Sequence, residues 1–432
     1  MKFSYKLLSS VFLLIACNLN LLYSQITILP NKPSGVYEVG ENVTWHIQMN
    51  DTVQLDSVRY ELKKGGLKVI DKGFITFKEN EAQISYIFKE PGTLLLDVQW
   101  AGKEPTWDNQ FAGGAVASID KLQLSADKPV DFDEFWESQI KELKTVPSNP
   151  VLEKGESNQA GVDYWKIKMD NIDGAKIRGQ MAKPAKGEKL PALLIVQWAG
   201  VYPLQKDWIT WKAKNGWLVL NINAHDLPID KDEQFYKDQS QNELENYPAI
   251  GNEDRNESYF LRMYLSCYRA AQYLTERADW NGKTLVVMGT SQGGLQALMT
   301  AGIHPKITAA MALVPAGFDN LGPEIGRKGG WPQWYIQTEG KNAEKVHETS
   351  KYYDVANFAP RIKCPVLVGV GLLDQVCPPE GILAGINEIT SPKEIIILPK
   401  SAHQDKNGSQ EYYVKRSEVW LRELAKSGMM PE

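Results

Sequence analysis

Residues 284–294 read TLVVMGTSQGG, an apolar run followed by a glycine-rich turn around Ser291. A helix-like segment, LQALMTAGI, comes directly after the turn. A serine in a Gly-x-Ser-x-Gly turn between a strand and a helix is typical of an exposed nucleophile. Glycine-rich turns of this kind also occur in α/β proteins without a catalytic serine. The rest of the chain must therefore decide between a nucleophile and a simple turn.

The chain on both sides of this turn alternates between strand-like and helix-like segments. The fully apolar runs are PALLIVQ, WLVLNIN, ITAAMALVPA, PVLVGVG and EIIILP, and helical patterns such as SYFLRMYLSCYRAAQYLTERA separate them. Two further runs, DYWKIKM and KIRGQMAKP, are typical of a strand pair. Continuous apolar strands that alternate with helices predict a mostly parallel sheet with helices on both faces. The expected fold class is α/β, over residues 126–432.

A candidate acid and a candidate base follow two later strands. Asp374 comes after PVLVGVG, and His403 comes after EIIILP. The chain order Ser, Asp, His is that of α/β-hydrolases, and the carboxyl ends of parallel strands meet at one edge of a sheet. A serine nucleophile needs a histidine base, which in turn needs a carboxylate to orient it. Either residue alone would more simply be a loop residue, but together they predict a Ser291–His403–Asp374 triad.

The same chemistry requires backbone donors for the negatively charged oxygen of the tetrahedral intermediate. The amide of Gln292, at the start of the helix after Ser291, is one candidate. The second donor is normally in the loop after an earlier strand, and QWAGVY there suggests the amide of Val201. His225 also follows a strand end, but it precedes Ser291 and therefore does not fit the expected order of the triad.

Residues 26–125 differ from the rest because they lack helical periodicity. Short strand-like runs such as NVTWHIQM, SVRYEL and TLLLDVQW are separated by turn-forming segments. This spacing predicts a small immunoglobulin-like β-sandwich. A helical pattern over residues 131–147 places the boundary near residue 125. Since every candidate catalytic residue lies after residue 195, we expect a chain shortened to begin near Ser125 to fold and to cleave a small soluble ester.

Residues 1–25 have the pattern of a secretory signal peptide, with Lys2 and Lys6 ahead of a short apolar run. We expect cleavage near Ser24 and an exported, periplasmic or secreted protein. The segment LIAC also fits lipoprotein processing at Cys17, but the residues that follow it are apolar and unlike a polar tether. The apolar run is shorter than the ~20 residues that cross a bilayer, so no transmembrane span is predicted.

The charge argues against a nucleic-acid-binding protein, and the cysteine content argues against a zinc protein or a disulfide-rich protein. The net charge is −5, and no basic patch suited to nucleic acid is present. After the predicted cleavage, Cys267, Cys364 and Cys377 remain, and their spacing fits neither a zinc site nor a disulfide framework. We expect buried thiols, with a Cys364–Cys377 disulfide as the alternative. No metal and no cofactor is predicted.

The motifs described above, together with DFDEFWESQIKEL, CPVLVGVGLLDQVCPP and AHQ, resemble the acetyl xylan esterase and cephalosporin C deacetylase family. The similarity extends from about residue 128 to the C-terminus. It implies a cofactor-independent esterase for acetylated carbohydrates, the same triad and oxyanion donors, and a possible homo-oligomer. The chain departs from the family at Ala224–Leu227, where Arg-Gly-Gln is usual, and at Gln404, where Glu is usual. The Arg-Gly-Gln at residues 178–180 lies in an earlier strand and is interpreted as coincidental.

The segment 316–350 is the expected rim of the site. Its residues Trp331, Trp334 and Tyr335 offer aromatic rings suited to the apolar face of a sugar, or they simply pack the segment. The predicted function is removal of acetyl groups from plant or algal polysaccharides or oligosaccharides. The alternatives are an esterase for methyl, feruloyl or glucuronoyl esters, a peptidase of the same fold, and an inert glycan-binding surface protein.

Overall fold

The structure is a computed structural model, which describes residues 26–49, 58–100 and 110–431. The predicted signal peptide and Cys17 lie outside these residues, so export stays a prediction. None of the helices in the described ranges combines the length and the apolar character that crossing a membrane would need.

Eight strands make up the N-terminal β-region. They are β1 (Ile26–Pro30), β2 (Val36–Tyr37), β3 (Asn42–Met49), β4 (Val58–Lys64), β5 (Lys68–Ile75), β6 (Glu81–Ile87), β7 (Gly92–Trp100) and β8 (Gln110–Ala117). One sheet has the order β1-β3-β6 and the other has the order β2-β8-β7-β4-β5. Neighbouring strands are antiparallel except for β2 and β8.

The two sheets of the β-region enclose one core. In β3 the buried side chains alternate with accessible ones, as expected for a strand with one face against a core. Val43, Trp45 and Ile47 from this sheet pack with Leu62 and Leu96 from the other. The prediction of a small β-sandwich ahead of the α/β fold is therefore confirmed.

A nine-stranded sheet follows. Its strands are β9 (Val151–Gly155), β10 (Val162–Asp170), β11 (Lys176–Pro184), β12 (Leu190–Ile195), β13 (Leu218–Ile222), β14 (Trp280–Thr290), β15 (Ala309–Leu313), β16 (Val366–Gly371) and β17 (Lys393–Leu398). The spatial order is β17-β16-β15-β14-β12-β13-β11-β10-β9. The six strands from β17 to β13 in that order are parallel, and β11, β10 and β9 are antiparallel at the other edge. The expected mostly parallel sheet is confirmed.

Helices cover both faces of this sheet. They are α1 (Phe132–Thr145), α2 (Asp207–Lys214), α3 (Glu233–Gln241), α4 (Tyr259–Glu276), α5 (Gln292–Ile303), α6 (Ala343–Tyr353), α7 (Val355–Phe358), α8 (Pro379–Asn387) and α9 (Glu411–Ser427). Side chains of α2 and α9 belong to one core, and those of α1, α4, α5 and α8 belong to the core on the opposite face. Within β12, Leu193 and Leu194 point to different cores, because successive side chains of a strand alternate in direction.

The sequence pattern did not indicate α3 or α6. In α3 only Tyr236 is buried, so the helix lacks the apolar stripe that signals a helix. Its start is instead fixed by Asp232, whose side chain accepts a hydrogen bond from the amide of Phe235.

A buried polar network joins the β-region to the α/β fold. The Glu380 carboxylate on α8 accepts hydrogen bonds from the Thr93 amide and hydroxyl on β7, at 2.8 and 2.9 Å. The Arg327 guanidinium lies 3.6 Å from the same carboxylate and 2.5 Å from Asp319. Asp319 also accepts two hydrogen bonds from Ser125. Because these charged groups are buried, their contacts make the two regions depend on each other.

The three cysteines of the described residues are free and buried. The alternative of a Cys364–Cys377 disulfide is therefore not the arrangement adopted, and all three thiols fill space in the core.

Candidate active site

Ser291 lies at the sharp turn between β14 and α5. Its backbone angles are φ 58° and ψ −122°, a conformation that costs a non-glycine residue about 1–3 kcal/mol. The turn is held by hydrogen bonds from the Ser291 amide to Leu313 O and from the Ala316 amide to Ser291 O. Gly293 is required because a Cβ atom there would lie 2.5 Å from the carbonyl oxygen of Val196. These contacts explain the Gly-x-Ser-x-Gly pattern as a turn that presents a serine.

The structure brings Ser291, His403 and Asp374 into one hydrogen-bonded chain. Ser291 Oγ lies 2.8 Å from His403 Nε2, and His403 Nδ1 lies 2.8 Å from Asp374 Oδ2. Since a carboxylate only accepts, Nδ1 carries the proton and Nε2 is free to accept from the serine hydroxyl. The carboxylate is fully buried, whereas the imidazole retains 12% of its surface. This is the arrangement in which a histidine removes the proton of a serine.

The loops that carry the acid and the base are tied to each other. The Leu373 amide donates to Ser401 O at 3.0 Å, which connects the loop after β16 to the loop after β17. Asp374 Oδ1 accepts from the amides of Val376 and Cys377, both at 2.8 Å. The Gln410 side chain, just before α9, donates to His403 O at 3.2 Å. Gln410 was not predicted, because nothing in its local sequence indicates this contact.

Gln292, one of the two predicted oxyanion donors, directly follows this serine, whereas the role of Val201 stays a prediction. Gln292 is the first residue of α5, so its amide has no acceptor within the helix. The Val201 amide donates to no other group in the described part of the chain. The two loops are joined by the Gln292 side chain, whose Nε2 lies 3.3 Å from Gln197 O and whose Oε1 accepts from the Tyr247 hydroxyl.

His225 supports the loop that contains Val201. His225 Nε2 lies 3.0 Å from the carbonyl oxygen of Gly200, and Nδ1 lies 2.6 Å from the Tyr259 hydroxyl. A carbonyl only accepts, so Nε2 carries the proton and Nδ1 accepts from the tyrosine. Burial lowers the pKa of His225 to about 4, which keeps the ring neutral near pH 7. These contacts could not be predicted from the sequence, since Gly200 and Tyr259 are far apart along the chain.

Three side chains of the site also have metal-ligand chemistry. Asp374, Cys377 and His403 each offer one ligand atom, and these atoms lie within 4.8 Å of one another. However, Asp374 and His403 are hydrogen-bonded to each other and to neighbouring groups. Burial raises the pKa of the Cys377 thiol well above its ordinary value, which disfavours the thiolate that a metal requires. This group therefore fits proton transfer better than metal binding.

The aromatic residues predicted to contact a sugar are mostly packed. Trp334 is fully buried and donates to Pro248 O at 2.7 Å, so the sugar-stacking role predicted for it is wrong. The alternative, packing within the segment, is correct for this residue because its ring faces are covered by Phe260 and Tyr353. Trp331 stacks on Phe260, and Tyr335 stacks on His347, so each has one occupied face. Sugar contact by these two residues stays a prediction.

The departures from the family pattern have structural consequences. The Arg-Gly-Gln of residues 178–180 lies on β11, directly beside β13, and Arg178 Nε donates to Asp226 at 2.7 Å. Arg178 thus contacts the segment Ala224–Leu227, where the family usually has its own Arg-Gly-Gln. Gln404, which replaces a usual Glu, is exposed next to His403.

Sequence comparison shows that this chain is similar to known esterases. The profile of the acetyl xylan esterase family matches residues 115–423. An acetyl esterase, Axe7A of Xylanibacter ruminicola, is 33% identical over 411 residues, which cover 94% of this chain and 91% of that protein. The similarity to this relative therefore includes most of the N-terminal β-region as well.

Two solved structures share the fold. The acetyl xylan esterase from Paenibacillus sp. R4 superposes with a TM-score of 0.60 at 23% identity, over 69% of this chain and 98% of that one. Acetyl xylan esterase 1 from Thermoanaerobacterium sp. JW/SL YS485 gives a TM-score of 0.58 at 22% identity, over 69% of this chain and 96% of that one. Almost the whole of each known structure is thus covered by about two thirds of this chain.

Proposed function

This chain belongs to the acetyl xylan esterase family, and we propose that it is an exported serine esterase that removes acetyl groups from plant or algal polysaccharides and oligosaccharides. Family membership establishes that it is a carboxylic ester hydrolase with acetyl xylan esterase-like function. The observation that carries the finer proposal is the hydrogen-bonded chain from Ser291 through His403 to Asp374.

The first half of the proposed reaction forms an acetyl-enzyme. Ser291 Oγ attacks the acetyl carbonyl carbon while His403 Nε2 accepts the hydroxyl proton. Asp374 keeps the imidazole oriented and stabilises the imidazolium that forms. The amides of Gln292 and Val201 stabilise the negative carbonyl oxygen. When the tetrahedral intermediate collapses, the sugar oxygen leaves and takes the proton from Nε2, and the acetyl group stays on Ser291.

The second half releases acetate. A water molecule attacks the acetyl-serine carbonyl and gives its proton to His403 Nε2. The second tetrahedral intermediate uses the same two amides. Its collapse breaks the bond to Ser291 Oγ, which recovers the proton from Nε2. The acid and the base therefore return to their starting states without any cofactor in this scheme.

The experiment combines acetate release with labelling of the serine. The purified enzyme should release acetate from acetylated xylan, and a fluorophosphonate probe should label Ser291, as located by peptide mass spectrometry. Ser291→Ala should remain folded and lose about 10⁶ in kcat, as expected when a nucleophile of a triad is removed. Retention of a tenth of the activity would place the nucleophile elsewhere.

The same two measurements, acetate release and labelling of Ser291, distinguish the alternative functions. An esterase for methyl, feruloyl or glucuronoyl esters, or a peptidase, would label at Ser291 and yet prefer its own substrate over acetylated xylan. An inert glycan-binding protein would neither label nor release acetate.

Export is part of the proposal and has its own test. The supporting pattern is the short apolar run behind Lys2 and Lys6. The mature protein from its native host should begin near Gln25 by N-terminal sequencing and occur in the periplasm or the medium. A mature N-terminus at a lipid-modified Cys17 would instead show that the protein is an anchored lipoprotein.

A further inference from the structure

We propose that Trp198, Tyr202 and Trp208, named here the aromatic platform, form a binding subsite for the sugar chain of the substrate next to the acetyl site. This inference rests on the proposed function of Ser291 and adds a location for the carbohydrate. The platform takes the place of Trp334, which is buried and therefore unable to contact a sugar.

The platform residues contact one another through their rings. The Trp198 and Tyr202 rings lie 5.2 Å apart and are nearly parallel, at 21°. Trp208, on α2, packs against Trp198 at 5.0 Å and 63°. The Tyr202 hydroxyl donates to Trp198 O at 2.8 Å, which fixes the loop that carries both rings. A platform held in this way has little side-chain freedom left to lose when a ligand binds.

The platform is accessible although it is aromatic. Trp198 keeps 42% of its surface accessible to solvent. Among the described tryptophans, only Trp198 and Trp211 are exposed. Burying a tryptophan is strongly favourable, so an exposed one that is already packed on two aromatic neighbours is unusual for a purely structural residue. Aromatic rings with an open face bind the C–H face of a pyranose well.

Chain connectivity places the platform at the acetyl site. Gln197 O contacts the side chain of Gln292, the neighbour of Ser291, at 3.3 Å. Trp198 is the next residue, and Val201 with its free amide lies three residues further on. Three Cα–Cα steps span at most about 11 Å. A sugar whose acetyl oxygen is held by the Val201 amide therefore has its neighbouring sugar units within reach of the platform.

The chemistry of the platform favours a glycan over other occupants. It presents ring surface without a charged side chain of its own, as expected for a neutral sugar chain and not for an anionic ligand. A xylopyranose ring carries its hydroxyl groups equatorially and exposes C–H bonds on both faces. Continuity with the loop of an oxyanion donor argues for a substrate rather than for a second copy of the chain.

The test compares a small ester with a carbohydrate ester. We would measure kcat and KM of wild type and Trp198→Ala on 4-nitrophenyl acetate and on acetylated xylotriose. Loss of ring stacking should raise KM for acetylated xylotriose about three- to tenfold, because one aromatic contact contributes on that scale. Turnover of 4-nitrophenyl acetate should change by less than about twofold, since this ester does not extend to the platform.

Two further variants make the outcome specific. Trp198→Phe keeps an aromatic ring, so its KM for acetylated xylotriose should lie close to the wild-type value. Trp211→Ala removes the other exposed tryptophan of the described residues, whose ring does not stack on the platform rings. It should leave kcat and KM for both substrates unchanged. An equal fall of activity on both substrates in Trp198→Ala would mean that the residue only supports the loop, and would overturn the proposal.

The remaining outcomes are also decisive. If wild type cleaves acetylated xylotriose and Trp198→Ala does so equally well, the platform is not a sugar subsite. If wild type cleaves only 4-nitrophenyl acetate, the proposed carbohydrate function itself fails. If light scattering shows that Trp198→Ala lowers the oligomeric mass, the platform is covered by a second copy, and the sugar subsite is rejected.

Discussion

A Cβ atom on Gly114 would lie 2.6 Å from the carbonyl oxygen of Leu372, two residues before Asp374. Strand β8 of the N-terminal β-region therefore packs directly against the backbone of the loop that carries the catalytic acid of the proposed triad. This contact is closer than any side chain allows, so it fixes the position of the loop. Packing of the β-region therefore affects the loop of the proposed acid, although every residue assigned to the chemistry lies after residue 195.

Gly114→Ala should reduce kcat on 4-nitrophenyl acetate about tenfold or more, because a displacement of the acid loop of about 1 Å misaligns the triad. The matched control is Gly113→Ala, whose Cβ would meet Ile28 and Trp45 inside the β-region. The control should lower the melting temperature and leave kcat nearly unchanged. Equal kcat values for the two variants would show that Gly114 matters only for stability.

A chain that begins near Ser125 should be strongly destabilised, contrary to the expectation from the sequence. The shortened chain lacks Thr93, so one oxygen of the Glu380 carboxylate loses both of its hydrogen-bond donors. The truncation also uncovers the surface that packs on the β-region, including the backbone of Leu372 against Gly114, and exposed apolar surface lowers stability and solubility. The measurement is soluble yield and melting temperature of the shortened chain. A stable, fully active product would show that the β-region is independent of the esterase.

His225→Phe should lower kcat on 4-nitrophenyl acetate about tenfold with little change in KM. The substitution removes the donor to Gly200 O, so the Val201 amide is held less well, whereas complete loss of an oxyanion donor costs about 10²–10³. Tyr259→Phe removes only the hydroxyl that donates to His225 and should have a smaller effect. A rise in KM at constant kcat would indicate a role in substrate binding instead.

Activity should survive prolonged dialysis against EDTA. The candidate ligand group contains the Cys377 thiol, and burial raises its pKa, which opposes metal binding. Cys377→Ala leaves in place the backbone amide that holds Asp374, and it should therefore keep most of the activity. Loss of activity in chelator, with recovery on addition of a divalent ion, would contradict the serine mechanism.

Stability should fall as the pH drops from about 6.5 towards 4. Burial lowers the pKa values of His225 and His304 to about 4, whereas a histidine in the unfolded chain titrates near ~6.5. In this window the unfolded state binds more protons, so the stability from each neutral histidine is complete above pH 6.5 and decreases by about 1.4 kcal/mol per pH unit below it.

The control for this effect is His304→Phe, which keeps a ring against Tyr268 and lies away from the proposed site. The free energy of unfolding is measured with a denaturant at pH 7, 5.5 and 4.5. At pH 4.5 the variant should have lost about 3 kcal/mol less of this free energy than the wild type. Carboxylates affect both proteins equally. Parallel curves would show that His304 does not titrate in this range.

The sequence determined the architecture, because architecture depends on local patterns. The apolar run of residues 366–371 forms a buried strand, and the amphipathic segment 411–427 forms the helix α9. The order of Ser291, Asp374 and His403 is equally readable, since parallel strands bring their carboxyl ends to one edge. Helix α3 was missed because its burial is slight and gives no periodic signal.

Only the tertiary structure decided which side chains are exposed and which are buried. Trp198 and Trp334 are both tryptophans near glycine-rich segments, yet one is exposed and the other is fully buried. Likewise, the contacts of His225 with Gly200 and of Gly114 with Leu372 join residues that are distant along the chain. Such contacts depend on how separate elements pack, and burial is a property of the assembled core that no local spacing encodes.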